Sequence, residues 1–477
     1  MARLLGIDVG TSSCKVILVD ETGRVLKRAV REYPLSTPRP LWSEQDPEDW
    51  WRGVSECLEE IGGGADAIGL TGQMHGAVFL GEHDEVIRPA ILWNDQRTAA
   101  ECAEIDARVG AERVQAITCN PPLTGFQLPK ILWLRNHEPE NFARLRSVLL
   151  PKDYVRLRLT GVKATEVSDA SGTGAFDVPK RRWSAEVLSA VNLPLSLFPP
   201  CEESSVVTSR TREGIPVVGG GGDQAAGAVG TGAVQSGVIS LSLGTSGVVF
   251  TAIPNPDSDP TGAAHTFCHA NGAWHAMGVT LSCGGSLRWA RDVLFPGDSY
   301  DALAEEAGEA PLGCEGLSFL PYLAGERCPH NDPSARGVWA GLTLAHHRGH
   351  LARSVFEGVS FSLADALDRL RQLGATAEEI RLTGGGSRSP FLRQMLADVL
   401  DAPCVAVEVD EGPALGAALL AGVGVGVWSS VEIACAQTVR MGARTEPTGA
   451  NYQAALLRYR RLYEATKAWS AALVLER

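Results

Sequence analysis

Residues 4 to 20 read Leu4-Leu5-Gly6-Ile7-Asp8-Val9-Gly10-Thr11-Ser12-Ser13-Cys14-Lys15-Val16-Ile17-Leu18-Val19-Asp20. Two β-rich runs flank a Gly-Thr-Ser-Ser turn, which is the pattern of a hairpin. Residues 238 to 252 repeat the plan, with Gly244-Thr245-Ser246 between two apolar runs. Setting Gly10 on Gly244 gives an offset of 234 (244 − 10), about half of the 477 residues. A three-residue match is short; the flanking strands and the halfway offset turn it into a sign of duplication. Two lobes are expected, residues 1–234 and 235–445, with a tail at 446–477 that packs back on the body. Such turns present N–H groups and hydroxyls that suit phosphate oxygens. Gly, Ser and Thr are also the residues of plain β-turns. The halves differ at one place: Asp8 precedes the first turn, and Ser242 holds the equivalent position. A single acid there suits one Mg2+ held largely through water.

Near the end of the first lobe stands Gly219-Gly220-Gly221-Gly222-Asp223-Gln224-Ala225-Ala226-Gly227-Ala228-Val229-Gly230, after the apolar run Ile215 to Val218. It reads as a strand end, a glycine turn and a helix. Glycine lets another group approach the backbone closely, and a helix start offers unpaired N–H groups and a positive dipole end. Taken alone, Asp223 reads as an ordinary helix N-cap; with the two turns beside it, it reads as an acid acting on something bound in the gap.

The totals narrow the class. So long a chain exceeds one compact core. A net charge of −13 argues against nucleic acid as the main partner. The 11 cysteines, from Cys14 to Cys435, include no Cys-x-x-Cys pair and read as free thiols of a reducing compartment. Leu4 to Ile7 is cut short by Asp8, so no signal peptide is expected. Leu415 to Trp428 is short for a membrane span. A soluble, cytoplasmic protein without a membrane partner is the expectation.

Other stretches add detail. Trp42 to Glu48 looks like a helix start, with Asp46 as cap and Pro47 at the first position. Ile68 to Gly76 is a strand running into a Gly-bounded loop, the kind of place where α/β proteins bind ligands; His75, structural if isolated, reads there as a ligand contact. Trp93-Asn94-Asp95-Gln96-Arg97 reads equally as a binding loop or a salt-bridged surface turn. Residues 147 to 180 read as short β-type runs in which Asp169 and Asp177 are structural, and Cys201 to Glu213 as a linker. Gly384-Gly385-Gly386 opens an amphipathic helix at Phe391 to Leu400 and could seat a flat ring. Asn451 to Trp469 reads as a docking helix.

Together these residues resemble the FGGY family of carbohydrate kinases, and within it the xylulokinase group. The resemblance rests on Leu41 to Pro47, Gly72-Gln73-Met74-His75-Gly76, Ala90 to Asp95, Leu150 to Tyr154, Gly325-Glu326-Arg327 and the segment Gly337 to Glu357. It departs at Gln127, where the family carries a small residue or proline. It implies an α/β fold of two duplicated ribonuclease H-like lobes, of the actin, hexokinase and Hsp70 type, around an interlobe cleft. It implies ATP and Mg2+ as cofactors, D-xylulose as the phosphate acceptor, and a homodimer. Asp223 resembles the catalytic base, with Met74, His75 and Gln224 on the sugar and Asp8 on the metal side. Thr11, Ser12, Ser13 and Lys15 match the first phosphate turn and Thr245 the second. Gly284, Arg288, Gly384, Gly385 and Ser389 match nucleotide contacts, Ser389 standing where glycerol kinases carry Asn. L-ribulose, D-ribulose and glycerol stay open as acceptors, although glycerol kinases carry Arg-Glu in place of Met74-His75. An actin- or Hsp70-like ATPase without a sugar acceptor is the reading from another class.

Overall fold

The first hairpin forms as its pattern dictates. In the computed structural model, which describes residues 2–408 and 411–475, β1 (Arg3–Val9) and β2 (Ser13–Asp20) pair antiparallel with Asp8 opposite Lys15. β3 (Val25–Glu32) extends the meander, and β4 (Ala67–Gly72) runs parallel to β1 on its other side. Between them lies α1 (Pro47–Ile61), capped by Asp46, which accepts from Glu48 N at 3.0 Å. The chain then leaves the sheet. The excursion carries α2 (Gln127–His137) and α3 (Pro151–Thr160) and a core of its own that includes Ile91, Ile117, Leu132 and Leu188. It returns through β5 (Val207–Arg210), β6 (Pro216–Val218) and the short β7 (Gly221–Gly222), and α4 (Asp223–Thr231) follows. The sheet order is β5-β6-β4-β1-β2-β3, with β7 beside β4.

The second half repeats this plan. β8 (Gly237–Leu243), β9 (Gly247–Ile253) and β11 (Trp274–Thr280) form the meander, with β10 (Ala264–Cys268) outside it. β12 (Ala377–Thr383) runs parallel to β8, β13 (Cys404–Val407) parallel to β12, and β14 (Met441–Thr445) closes the edge. Helices α5 (Gly284–Leu294), α6 (Arg348–Gln372) and α7 (Pro390–Leu400) belong to this half, as does α8 (Gly412–Gly424).

Most of the run Leu415 to Trp428 finds its place in a helix of the second half that packs on the sheet of the first. α8 packs on α4 and lies directly across β1 and β4. A Cβ at Gly6 would sit 1.9 Å from Ala414 O, and one at Gly69 1.8 Å from Ala417 O, so only glycine admits this approach. The seam is an apolar core in which Leu4, Ile17, Ala67 and Val229 meet Leu415, Leu419 and Trp428.

Two expectations change. The supposed linker at 201–213 contains β5: Val207 and Ser209 pair with Val218 and Val217, with a register shift between them, on an edge strand whose outer side tolerates polar residues. The β-type reading of 147–180 misses α3, which starts at Pro151, a residue suited to a first helical turn. At the tail, α9 (Gln453–Leu475) docks on the second half, where Tyr459 Oη donates to Tyr322 Oη at 2.8 Å. Residues 476–477 of the tail, and 409–410 and Met1 of the lobes, lie outside the described residues.

Candidate active site

The two Gly-Thr-Ser turns sit at equivalent corners of the two sheets, and each is braced by its carbonyls. In the first, Tyr33 Oη donates to Gly10 O at 2.5 Å, Gln45 Nε2 to Thr11 O at 2.7 Å, and Tyr33 N to Ser12 O at 3.1 Å. Gln73 Nε2 holds Gln45 Oε1 at 3.0 Å, and Trp93 Nε1 donates to Thr11 Oγ1 at 3.0 Å. In the second, the start of α5 does this work: Gly284 N donates to Gly244 O at 2.8 Å, and Cys283 N and Gly285 N to Thr245 O at 2.9 and 3.0 Å. Among the described residues, the N–H groups of Thr11, Ser12, Thr245 and Ser246 have no protein acceptor. Each turn thus offers two unspent donors, which is what anionic oxygens require.

Asp8 lies next to the first turn. Its Oδ1 is buried and has no hydrogen-bond partner, and Thr71 Oγ1, on the neighbouring strand, is orphaned too. Burial pushes the Asp8 carboxyl up to about 6; Lys15 opposes this and Glu411 adds to it. Lys15 Nζ and Arg28 Nη1 each pair with Glu411 at 2.9 Å, so the cation of the first turn is held by a carboxylate at the head of α8. An orphaned carboxylate oxygen fits a hard cation such as Mg2+, which keeps waters and takes few protein ligands. Among the described residues there is no cluster of three or more His, Cys, Asp or Glu side chains able to cage a metal.

Asp223 is the first residue of α4, and Gly222 is the N-cap, which corrects the plain reading of Asp223 as the cap. Gly220, with φ +78°, makes the turn before it; a Cβ there would meet Leu70 O at 1.9 Å. Burial pushes the Asp223 carboxyl up to about 7; the Asp8 charge adds to this, and bonds from Gln224 oppose it. An interlobe cavity of about 250 Å3 is lined by Asp223, Gln224, Ser242, Thr383, Gly384 and Gly412. Gly385 faces open space, Ser389 caps α7 by accepting from Leu392 N at 3.3 Å, and Arg288 is exposed on α5.

A second cavity, of about 460 Å3, is lined by His75, Trp93, Gln96, Phe126, His265 and Arg327. His75 has φ +67°, its Nδ1 lies 2.6 Å from Gly172 O, and its ring centroid is 4.9 Å from that of Phe126. Burial and the nearby Lys130 charge push it down to about 3, so it is a neutral imidazole. Met74 is buried under Gly222, where a Cβ would come within 2.8 Å of its Cγ; it seats the Asp223 turn. The 93–97 loop is held by buried pairs of Arg97 with Asp95 and Glu44, both at 2.7 Å. A hollow of about 820 Å3 near Asp46, Arg88 and Tyr154 contains none of these residues.

Several supports escaped the sequence. Gln127, the departure from the family pattern, donates to Gly76 O at 3.0 Å and Leu149 O at 3.1 Å. Lys130, fully buried, donates to His75 O at 2.8 Å and Gly125 O at 2.6 Å. Burial lowers its pKa well below the usual lysine value. Both hold the His75 loop by its carbonyls, a role that residue type alone does not announce. Tyr33 and Gln45 escaped for the same reason.

The FGGY family of carbohydrate kinases matches with its N-terminal domain at residues 3–230 and its C-terminal domain at 239–425. A xylulose kinase of Escherichia coli (strain K12) is 46% identical over 436 residues, covering 87% of this chain and 89% of the relative. A ligand-bound xylulose kinase from Lactobacillus acidophilus superposes with a TM-score of 0.94 at 28% identity, covering 99% of this chain and 100% of that one. A gluconate kinase from the same organism gives 0.94 and 28% as well, covering 99% of each. The two duplicated lobes, the paired phosphate-type turns and the cleft between them are those of a sugar kinase, and this chain belongs to the FGGY family of carbohydrate kinases.

Proposed function

We propose that the protein transfers the γ-phosphate of ATP to D-xylulose, forming D-xylulose 5-phosphate. The acceptor is taken from the 46% identical xylulose kinase, since a gluconate kinase shares the architecture just as closely. The observation that carries the chemistry is Asp223: a carboxyl held near pKa 7 at a helix start, lining the interlobe cavity. A base of that strength is poised at neutral pH to take the proton of an attacking hydroxyl. His75, neutral, and Gln224 would bond the sugar. The free N–H groups of the two turns would bind phosphate oxygens, with Gly384, Gly385 and Ser389 toward the base and Gly284 and Arg288 on the nucleotide side. Mg2+, held near Asp8, would supply charge neutralisation on the phosphates. Residues 1–234 and 235–445 would act as the two closing bodies, excluding water as a competing acceptor.

The test is ADP release from MgATP with D-xylulose, D-ribulose, L-ribulose, L-xylulose, gluconate, glycerol or no acceptor. Strong stimulation by D-xylulose alone is expected. Stimulation by another acceptor would move the specificity, and equal rates throughout would point to an ATPase.

A further inference from the structure

Behind Asp223 lies a cluster of five charged side chains with no exposure at all: Lys152, Asp153 and Arg156 on α3, and Glu166 and Asp169 beyond it. Lys152 Nζ lies 2.8 Å from Asp153 Oδ1, 3.5 Å from Glu166 Oε1 and 3.6 Å from Asp169 Oδ2. Burying ions is costly and seldom stabilises a fold by itself. The cluster therefore calls for a reason, and its outward bonds supply one.

Two arms reach from it to the Gly219–Asp223 turn. Arg156 donates through Nη1 to Val218 O at 2.8 Å and through Nη2 to Gly219 O at 2.7 Å, fixing the entry of the turn. Glu166 accepts from Ser168 N at 2.7 Å and Asp169 N at 2.9 Å, and from Ser204 Oγ at 2.9 Å. Ser168, pinned in this way, accepts from Gly222 N at 3.1 Å. Gly222 is the N-cap of α4 and the residue next to the base. The turn that carries Asp223 is thus gripped at both ends by one fully buried ionic block.

We propose that this block positions the base: Ser168, held by Glu166 and Lys152, is a positioning residue that sets the Asp223 carboxylate through Gly222 N. The proposal rests on the reading of Asp223 as base. Among the described residues the block makes no bond to the Gly-Thr-Ser turns, so nucleotide binding should be independent of it. Asp169, whose carboxyl is driven well above the usual range chiefly by burial, has both oxygens without a hydrogen-bond partner.

Ser168→Ala removes one oxygen and leaves the backbone intact. Its kcat should fall about tenfold to a hundredfold, the scale of an ångström-sized misplacement of a reacting group. KM for ATP and the melting temperature should stay close to wild type. Glu166→Gln, which keeps the volume, should fall in the same direction. In an Asp223→Asn background, Ser168→Ala should cost nothing further, because the two act through one group. Wild-type kcat in Ser168→Ala, or losses that multiply in the double variant, would overturn the positioning role. Near-normal turnover in Asp223→Asn alone would instead sink the base assignment.

Discussion

The two lobes share a topology and differ in charge. β1 and β8 are equivalent strands leading to equivalent turns, yet Asp8 faces Lys15 across the first hairpin and Ser242 faces Val248 across the second. The bracing differs as well. The first turn is tied by side chains from Tyr33, Gln45 and Trp93, the second by the backbone of α5. Duplication thus supplied two equivalent turns, and divergence left one beside a carboxylate and tied by side chains, the other a backbone-braced socket. In the proposed reaction both would hold phosphate, the first on the metal side. Asp223 enters from the seam and belongs to neither turn.

That contrast can be broken most directly at its charge. Asp8→Asn should cost about a hundredfold or more in kcat, comparable to the loss of one preorganised electrostatic group. Ser242→Ala, at the equivalent place, should stay within a few-fold. Steady-state rates at saturating MgATP decide this, and equal losses would remove the asymmetry. The bracing comes next. Tyr33→Phe deletes one hydrogen bond of about 1 kcal/mol and should raise KM for ATP about fivefold. Gly284→Ala places a Cβ 2.6 Å from Gly244 O, so the second turn must shift, and KM should rise further than with Tyr33→Phe. A smaller rise would contradict the backbone-socket account.

The mildest effect concerns stability. The folded Asp223 pKa, about 7, lies above the ordinary 3.8. Below about pH 4 both folded and unfolded carboxyls hold the proton, and the group costs nothing. From there to pH 7 the unfolded group ionises first, so stability falls, and above 7 the penalty stays constant. Asp223→Asn should therefore raise the melting temperature of the free protein by a few degrees at pH 8, a gain on the order of 1–4 kcal/mol. It should change it little at pH 4. A stabilisation that does not grow with pH would show that the carboxyl is not held up by burial and Asp8.

Much of the architecture was readable because strands and tight turns leave local signatures. The Gly-Thr-Ser repeat, the Asp46–Pro47 helix start and the apolar run of α8 each declare themselves within a few residues. The supports did not. Arg156 and Val218 are far apart in sequence, as are Ser168 and Gly222, and Gln127 and Gly76, and side chains that bind backbone carbonyls or N–H groups carry no motif. Asp169 reads as one more acidic residue until its burial is seen. Gln127, a departure from the family pattern in sequence, is a carbonyl anchor beneath the His75 loop. The β5 edge strand was hidden because its polar residues look like linker.

The measurement closest to the centre of this account is sugar-dependent ADP release by Asp223→Asn, with ATP affinity followed by direct binding. The account predicts ATP binding near wild type and D-xylulose-stimulated turnover reduced about a thousandfold, the scale of a lost general base. Turnover within a few-fold of wild type, with intact ATP binding, would take Asp223 out of the chemistry.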